Sequence, residues 1–348
     1  MEPKPPSPLV PILITVALYL SGLFSIFTPL PIVYSFLRFK EGAFLRVVFP
    51  AATALFFLYV IALLPLHTFY SNYPQWSWLL SFPGGALLSL ITVEGAVAFG
   101  MAYFSFFVLV AFSIYKVLLA PTKVTLNLAR VSVGFLVAAG FAFFLAGLSA
   151  GESPVAFLDR YFRASLTEAI SLTVTGSLSS GEAAFFQENI DSLIFYSILF
   201  TPSFLFCSIL TMILLNLVIG KRVFGPLIQG ATGPLLLTQW SLPFSFVWGV
   251  IVLLALLLAN SFFLKTNLLL GLAGNGLIVA AFLYYLQGVA VVAAFFEKKN
   301  VRPPFRIMGY AFLILFFQIL GFVVVALGFF DPWFDFRKLG PGKGEKSG

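Results

Sequence analysis

Apolar runs of about twenty residues recur from one end of this chain to the other, and they decide what it can fold into. A helix rises 1.5 Å per residue, so a run of that length covers the roughly 30 Å of hydrocarbon in a bilayer. The 44 Phe in 348 residues and the 60% hydrophobic content exceed what a water-soluble core of this size needs. In lipid the backbone must satisfy its own hydrogen bonds, and the sequence lacks the period-two alternation of a membrane barrel. The expected fold is therefore all-α, a polytopic transmembrane helical bundle.

The pattern predicts helices near 9–27, 29–39, 43–65, 92–118, 126–149, 192–219, 244–262, 267–296 and 306–330. That makes eight or nine membrane helices in one transmembrane domain, 1–338, with a tail, 339–348, rich in Gly and Lys and expected to be disordered. The front, Met1 to Pro8, carries one Lys and one Glu and no small-residue cleavage site, so the first helix is expected to be retained. The element 29–39 is short. It opens with Pro29 and Pro31 and ends with Arg38, the pattern of a half-helix or a tilted insertion packed inside protein.

Cations set the orientation. Arg38, Lys40 and Arg46; Lys116, Lys123 and Arg130; Lys221 and Arg222; and Lys298, Lys299, Arg302 and Arg306 alternate with cation-poor loops, which places these four clusters in the cytoplasm. Opposite them lie the aromatic loop 67–85 and an acidic loop, 151–191. The acidic loop holds one amphipathic helix, capped by Ser153 and started by Pro154, expected at the extracytoplasmic surface. A stretch broken by Pro and Gly, 223–243, reads as a cytoplasmic elbow in the interface with Trp240 at headgroup depth. The N-terminus is inside if 29–39 crosses and outside if it dips. Both counts leave the C-terminus outside, against Arg337, Lys338, Lys343 and Lys346.

Catalytic parts are missing from the sequence. One His, one Cys, no paired metal-ligand spacing, no phosphate-cradling loop and no nucleophile elbow point to a protein that is not an enzyme and needs neither cofactor nor metal. Cys207 sits in an apolar run as a buried thiol, and His67 reads as a solvated loop histidine. The net charge of +7 is spread over several loops, which fits anionic headgroups as neighbours and excludes a nucleic-acid patch.

The remaining candidates are polar groups at membrane depth. Glu94, three residues into its helix, must face a cavity, a partner or the interface. Asn127 and Arg130 open the next helix as interfacial anchors or ligand contacts. Asn267 and Asn275 share one side of their helix with Gly271 and Gly274, Gln287 lies on another, and Gln318 is in the last helix. Interhelical hydrogen bonding is the ordinary role of such amides and ligand binding the alternative. Gly134, Ala138, Ala142 and Ala146 recur every four residues, as do Ala17, Ser21 and Ser25, two small-residue stripes suited to a neighbouring helix or a partner subunit.

Four short pieces carry a resemblance that covers most of the chain. They are Pro29 and Pro31 followed by Arg38 and Gly42, Trp240 to Pro243, Gln287-Gly288-Val289-Ala290, and the ending Asp331 to Arg337 with its Asp335. In this order they resemble the YybS-like family of bacterial integral membrane proteins, whose function is unknown. That family is in turn remotely similar to the substrate-capturing membrane subunits of energy-coupling-factor transporters, which share a first helix followed by a short Pro-containing one. The resemblance implies a multi-pass protein of the bacterial cytoplasmic membrane, a solute-binding or transport subunit without its own energy source. The alternative is a non-catalytic scaffold or envelope assembly factor. Its partners are membrane lipids and, in either role, other membrane subunits, while Asp335 and Arg337 are expected to pair.

Overall fold

A computed structural model describes residues 7–72, 93–119, 151–174, 188–225 and 240–338, with isolated positions between 132 and 148 and Phe185 and Phe186. All its regular elements are helical, and no strand occurs among the described residues. Among the described residues, five helical segments are long and apolar enough to cross a membrane: Gly100–Leu119, Ile190–Phe224, Phe246–Leu264, Asn267–Lys298 and Phe317–Phe334. The expected elbow between 226 and 239, the tail 339–348, and Asn127 and Arg130 lie outside the described residues. The chain divides into two compact units, Met1–Thr201 with Ser208–Ala231, and Pro202–Cys207 with Thr232–Gly348.

The first unit begins with α1, Leu9–Leu20, a 3-10 turn over Gly22–Phe27, and α2, Pro29–Phe39. The sequence predicts one helix over 9–27, but the α-helix stops at Leu20. There Ser21 directs both its N–H (3.2 Å) and its hydroxyl (2.6 Å) to the Leu18 carbonyl, which tightens the turn. A π-helical turn, Phe44–Val48, leads into α3, Phe49–Asn72, which continues past Pro65 where the helix was expected to end. Proline is tolerated in membrane helices when neighbours take up the freed carbonyl. The next helix, α4, is Val93–Leu119.

After the chain reverses at Gly151, whose φ of +70° suits a residue without a Cβ, α5 runs from Pro154 to Val174. Ser153 caps it by accepting the Ala156 N–H at 3.2 Å. Arg163 on α5 reaches Asp191 at 2.9 Å, at the start of α6, Ile190–Phe224. That hydrogen bond raises the guanidinium's proton affinity above its ordinary value, so Arg163 stays a cation.

Three contacts at four-residue steps align α2 with the end of α6. The Asn216 amide bonds the Ile26 carbonyl at 2.7 Å, Gly220 lies against Leu30, and the rings of Phe224 and Tyr34 are 5.8 Å apart. Both segments therefore run in the same direction, which sets Arg38 and Lys221 with Arg222 at one end of the unit. Phe36 also packs on Phe112 and Tyr115 of α4, which brings Lys116 to that end too. The core of the unit is aromatic: Tyr19 is fully buried among Tyr103, Phe104 and Phe107, and its hydroxyl donates to the Gly100 carbonyl at 2.6 Å.

The second unit is built on α7, Phe246–Ala259, α8, Asn267–Lys298, α9, Pro303–Leu315, and α10, Phe317–Phe334. A π turn, Asn260–Leu264, joins α7 to α8. Buried Asn260 closes it by accepting from the Thr266 N–H at 2.8 Å and its hydroxyl at 3.2 Å, while Thr266 caps α8. The helix expected over 306–330 is broken at Phe316, between α9 and α10.

Helices α8 and α10 meet backbone to backbone. A Cβ placed on Gly288 would collide with the Val324 carbonyl, and one on Gly328 with the Tyr284 carbonyl and the Gly288 nitrogen. Only glycine permits this approach, the small-residue packing typical of membrane helices.

Candidate functional site

The close approach of α8 and α10 puts Gln287, one residue before Gly288, beside Asp331, three residues after Gly328. Asp331 is 5% exposed and Gln287 fully buried. Beyond Phe334 the chain turns through Asp335 in the left-handed region, φ +44°, and the Asp335 N–H bonds the Asp331 carbonyl at 2.8 Å. This reversal carries Arg337 back over the end of its own helix.

Arg337 donates to Asp331 Oδ2 from Nε at 3.0 Å and from Nη2 at 2.5 Å, and its Nη1 donates to the Trp240 carbonyl at 2.6 Å. Its side chain is 1% exposed. Gln287 Nε2 donates to the same Oδ2 at 3.3 Å, and Gln287 Oε1 accepts the Leu242 N–H at 2.9 Å. One carboxylate oxygen thus gathers both cationic N–H groups and the amide. The other, Oδ1, is buried with no partner among the described residues.

The surroundings are apolar. Tyr284 packs on Phe246 and Phe329, while Trp333 packs on Phe244 and Phe329, with ring centroids 5.1–5.6 Å apart. Low polarity strengthens the ion pair and makes a broken one costly. Arg337 pairs with Asp331, a residue that the sequence does not join to it. Segments around Trp240, Gln287 and Asp331 that are far apart in sequence form one knot.

The other candidates fall elsewhere. Asn275 accepts the Ser203 N–H at 2.9 Å and donates to the Gly271 carbonyl at 2.7 Å. Ser203 follows Pro202, which has no N–H and disturbs the α6 ladder, so Asn275 braces a helix irregularity. Asn275→Ala is expected to cost about 1 kcal/mol, read as a fall of about 2–4 °C in the unfolding midpoint. Asn267 and Gln318 are exposed, as are Arg38 and Pro243, whereas Pro29 and Pro31 are buried. Glu94 lies in the first turn of α4, and its side chain is outside the described residues.

The stripe Ala17, Ser21, Ser25 does not occupy one helix face, because α1 ends at Leu20. Ala17 and Ser21 are exposed, and Ser25 is buried in the 3-10 turn. Gly134 is exposed, with nothing described within 4 Å of a Cβ, while Ala138, Ala142 and Ala146 lie outside the described residues. The sequence reading does not single out Asn216 or Thr28, although an amide inside the run 192–219 carries the same signal as Asn275.

Apolar helices of membrane-crossing length around a buried ion pair define a polytopic helical membrane protein. A family model described as "Predicted membrane protein (DUF2232)" matches residues 43–332, and the chain belongs to that family. Asp331, Gln287 and Trp240 fall inside the matched region and Arg337 just beyond it. Comparison with the curated proteins and with the solved structures found no match.

Proposed function

We propose that this membrane protein is a solute-binding or transport subunit of the bacterial cytoplasmic membrane. It has no energy source of its own, performs no catalysis, and draws on a partner subunit. The observation that carries the reading is the Asp331 carboxylate: buried in an apolar setting, it keeps Oδ1 without a partner among the described residues while Oδ2 holds Arg337 and Gln287. A carboxylate buried in apolar surroundings is expensive, and one left with unused acceptor capacity suits a ligand that brings a donor.

The same reading takes eight or nine membrane helices, with α5 lying along the outer surface. The parallel course of α2 and the end of α6 supports placing Arg38, Lys116 and Lys221 on one side, the cytoplasmic side by the distribution of cations. It also keeps the YybS-like resemblance and, through it, the likeness to energy-coupling-factor subunits.

Native mass spectrometry of the protein extracted from its own membrane tests the proposal. A retained small molecule or an associated nucleotide-hydrolysing subunit is the expected result. A bare chain with neither would contradict it and leave the scaffold reading in its place.

A further inference from the structure

A second group of buried polar atoms lies in the first unit, at the break between α1 and α2. Thr28, the residue before α2, is fully buried, and its hydroxyl has no partner among the described residues. Asn216, also fully buried, donates Nδ2 to the carbonyls of Ile26 (2.7 Å) and Met212 (2.8 Å). Those two bonds fix the amide's orientation and leave Oδ1 as an acceptor without a partner among the described residues. Ile26 is two residues before Thr28, so Asn216 ties α6 to the turn that ends at Thr28.

The depth of this turn is set by α2. Its 11 residues reach about 16 Å back from the cation-bearing end, roughly half of a 30 Å hydrocarbon layer. Interrupted helices at such depth supply freed backbone carbonyls for ions.

The donors present select the ligand. Pro29 and Pro31 have no N–H, and the Thr28 N–H is used by the Ser25 carbonyl at 2.9 Å, so the start of α2 is a poor cradle for an anion. What the turn offers instead is oxygen: the Thr28 hydroxyl, Asn216 Oδ1 and the last carbonyls of the 3-10 turn. Neither the segment 9–39, nor 100–119, nor 208–224 contains an Asp or Glu. Neutral oxygens without a carboxylate suit a singly charged hard cation and leave a divalent one under-neutralised.

We infer that the turn between α1 and α2 binds a small monovalent cation, of the sodium or potassium class, through Thr28 Oγ1 and Asn216 Oδ1. This site stands whether or not the chain carries a solute.

The test is the unfolding midpoint of the purified full chain in NaCl, KCl and choline chloride at equal ionic strength. One of the two small cations is expected to raise it saturably by about 2–4 °C over choline, and the comparison of the two salts identifies which. Thr28→Val should abolish the rise and Thr28→Ser should keep it. Equal midpoints in all three salts, the result for a turn that holds only a buried water, would overturn the inference, as would an undiminished rise in Thr28→Val. Should that variant not fold, calorimetric titration of the wild-type protein with each salt against choline chloride decides: a saturable heat supports the site and its absence overturns it. Salt dependence reads the cation alone, whereas the mass measurement above reads the solute.

Discussion

Arg337→Met is expected to destabilise the protein by about 3–5 kcal/mol, because it leaves the Asp331 carboxylate buried without its cation. The loss comes less from the attraction given up than from the charge left behind. Arg337 and Asp331 are 1% and 6% exposed as side chains, so neither water nor lipid headgroups can compensate from outside. The neutral pair Asp331→Asn with Arg337→Gln removes both charges and leaves two amides that can hydrogen-bond to each other. With both charges gone no uncompensated ion is left in the interior, so the double variant is expected within about 2 kcal/mol of the wild type. Chemical unfolding in mixed micelles, arranged as a double-mutant cycle, measures both values. A single variant as stable as the wild type would mean that the pair is solvated.

Gly328→Ala is the second large effect, expected at about 3 kcal/mol, near the top of the usual range for overpacking. The added Cβ meets the Tyr284 carbonyl and the Gly288 nitrogen, and both are backbone. No flexible side chain can move aside, so α8 and α10 must separate, and with them Gln287 and Asp331. Gly249 on α7 is the control. It is exposed with nothing described within 4 Å of a Cβ, and Gly249→Ala is expected to gain about 0.5–1 kcal/mol from helix propensity. Thermal unfolding of the two variants side by side separates the close contact from a general cost of replacing glycine in a membrane helix.

Local chemistry made several elements legible in the sequence. Pro29 starts α2 and Ser153 caps α5 because missing and orphaned N–H groups have residue-specific remedies. The break after Leu20 was missed, because hydropathy stays high through Phe27 across Ser21 and Gly22 and does not register a change from α to 3-10 geometry. The site was half legible. Trp240, Gln287, Asp331 and Arg337 stood out as pieces of motif, yet nothing in their spacing joins them. The knot depends on a left-handed turn at Asp335, a conformation that a non-glycine residue does not advertise, and on glycines in contact across two helices. Asn275 was legible as a polar residue in an apolar helix. Its role was not, since its partner is the backbone beside Pro202.

On the proposed function, the Asp331 knot both clasps α10 and presents a carboxylate oxygen to a solute. The most direct measurement is native mass spectrometry of the wild type beside the folded neutral pair Asp331→Asn with Arg337→Gln. The wild type is predicted to carry a small-molecule mass that the neutral pair, folded to the same extent, has lost. An equal bound mass on both proteins, or none on the wild type, would contradict the claim.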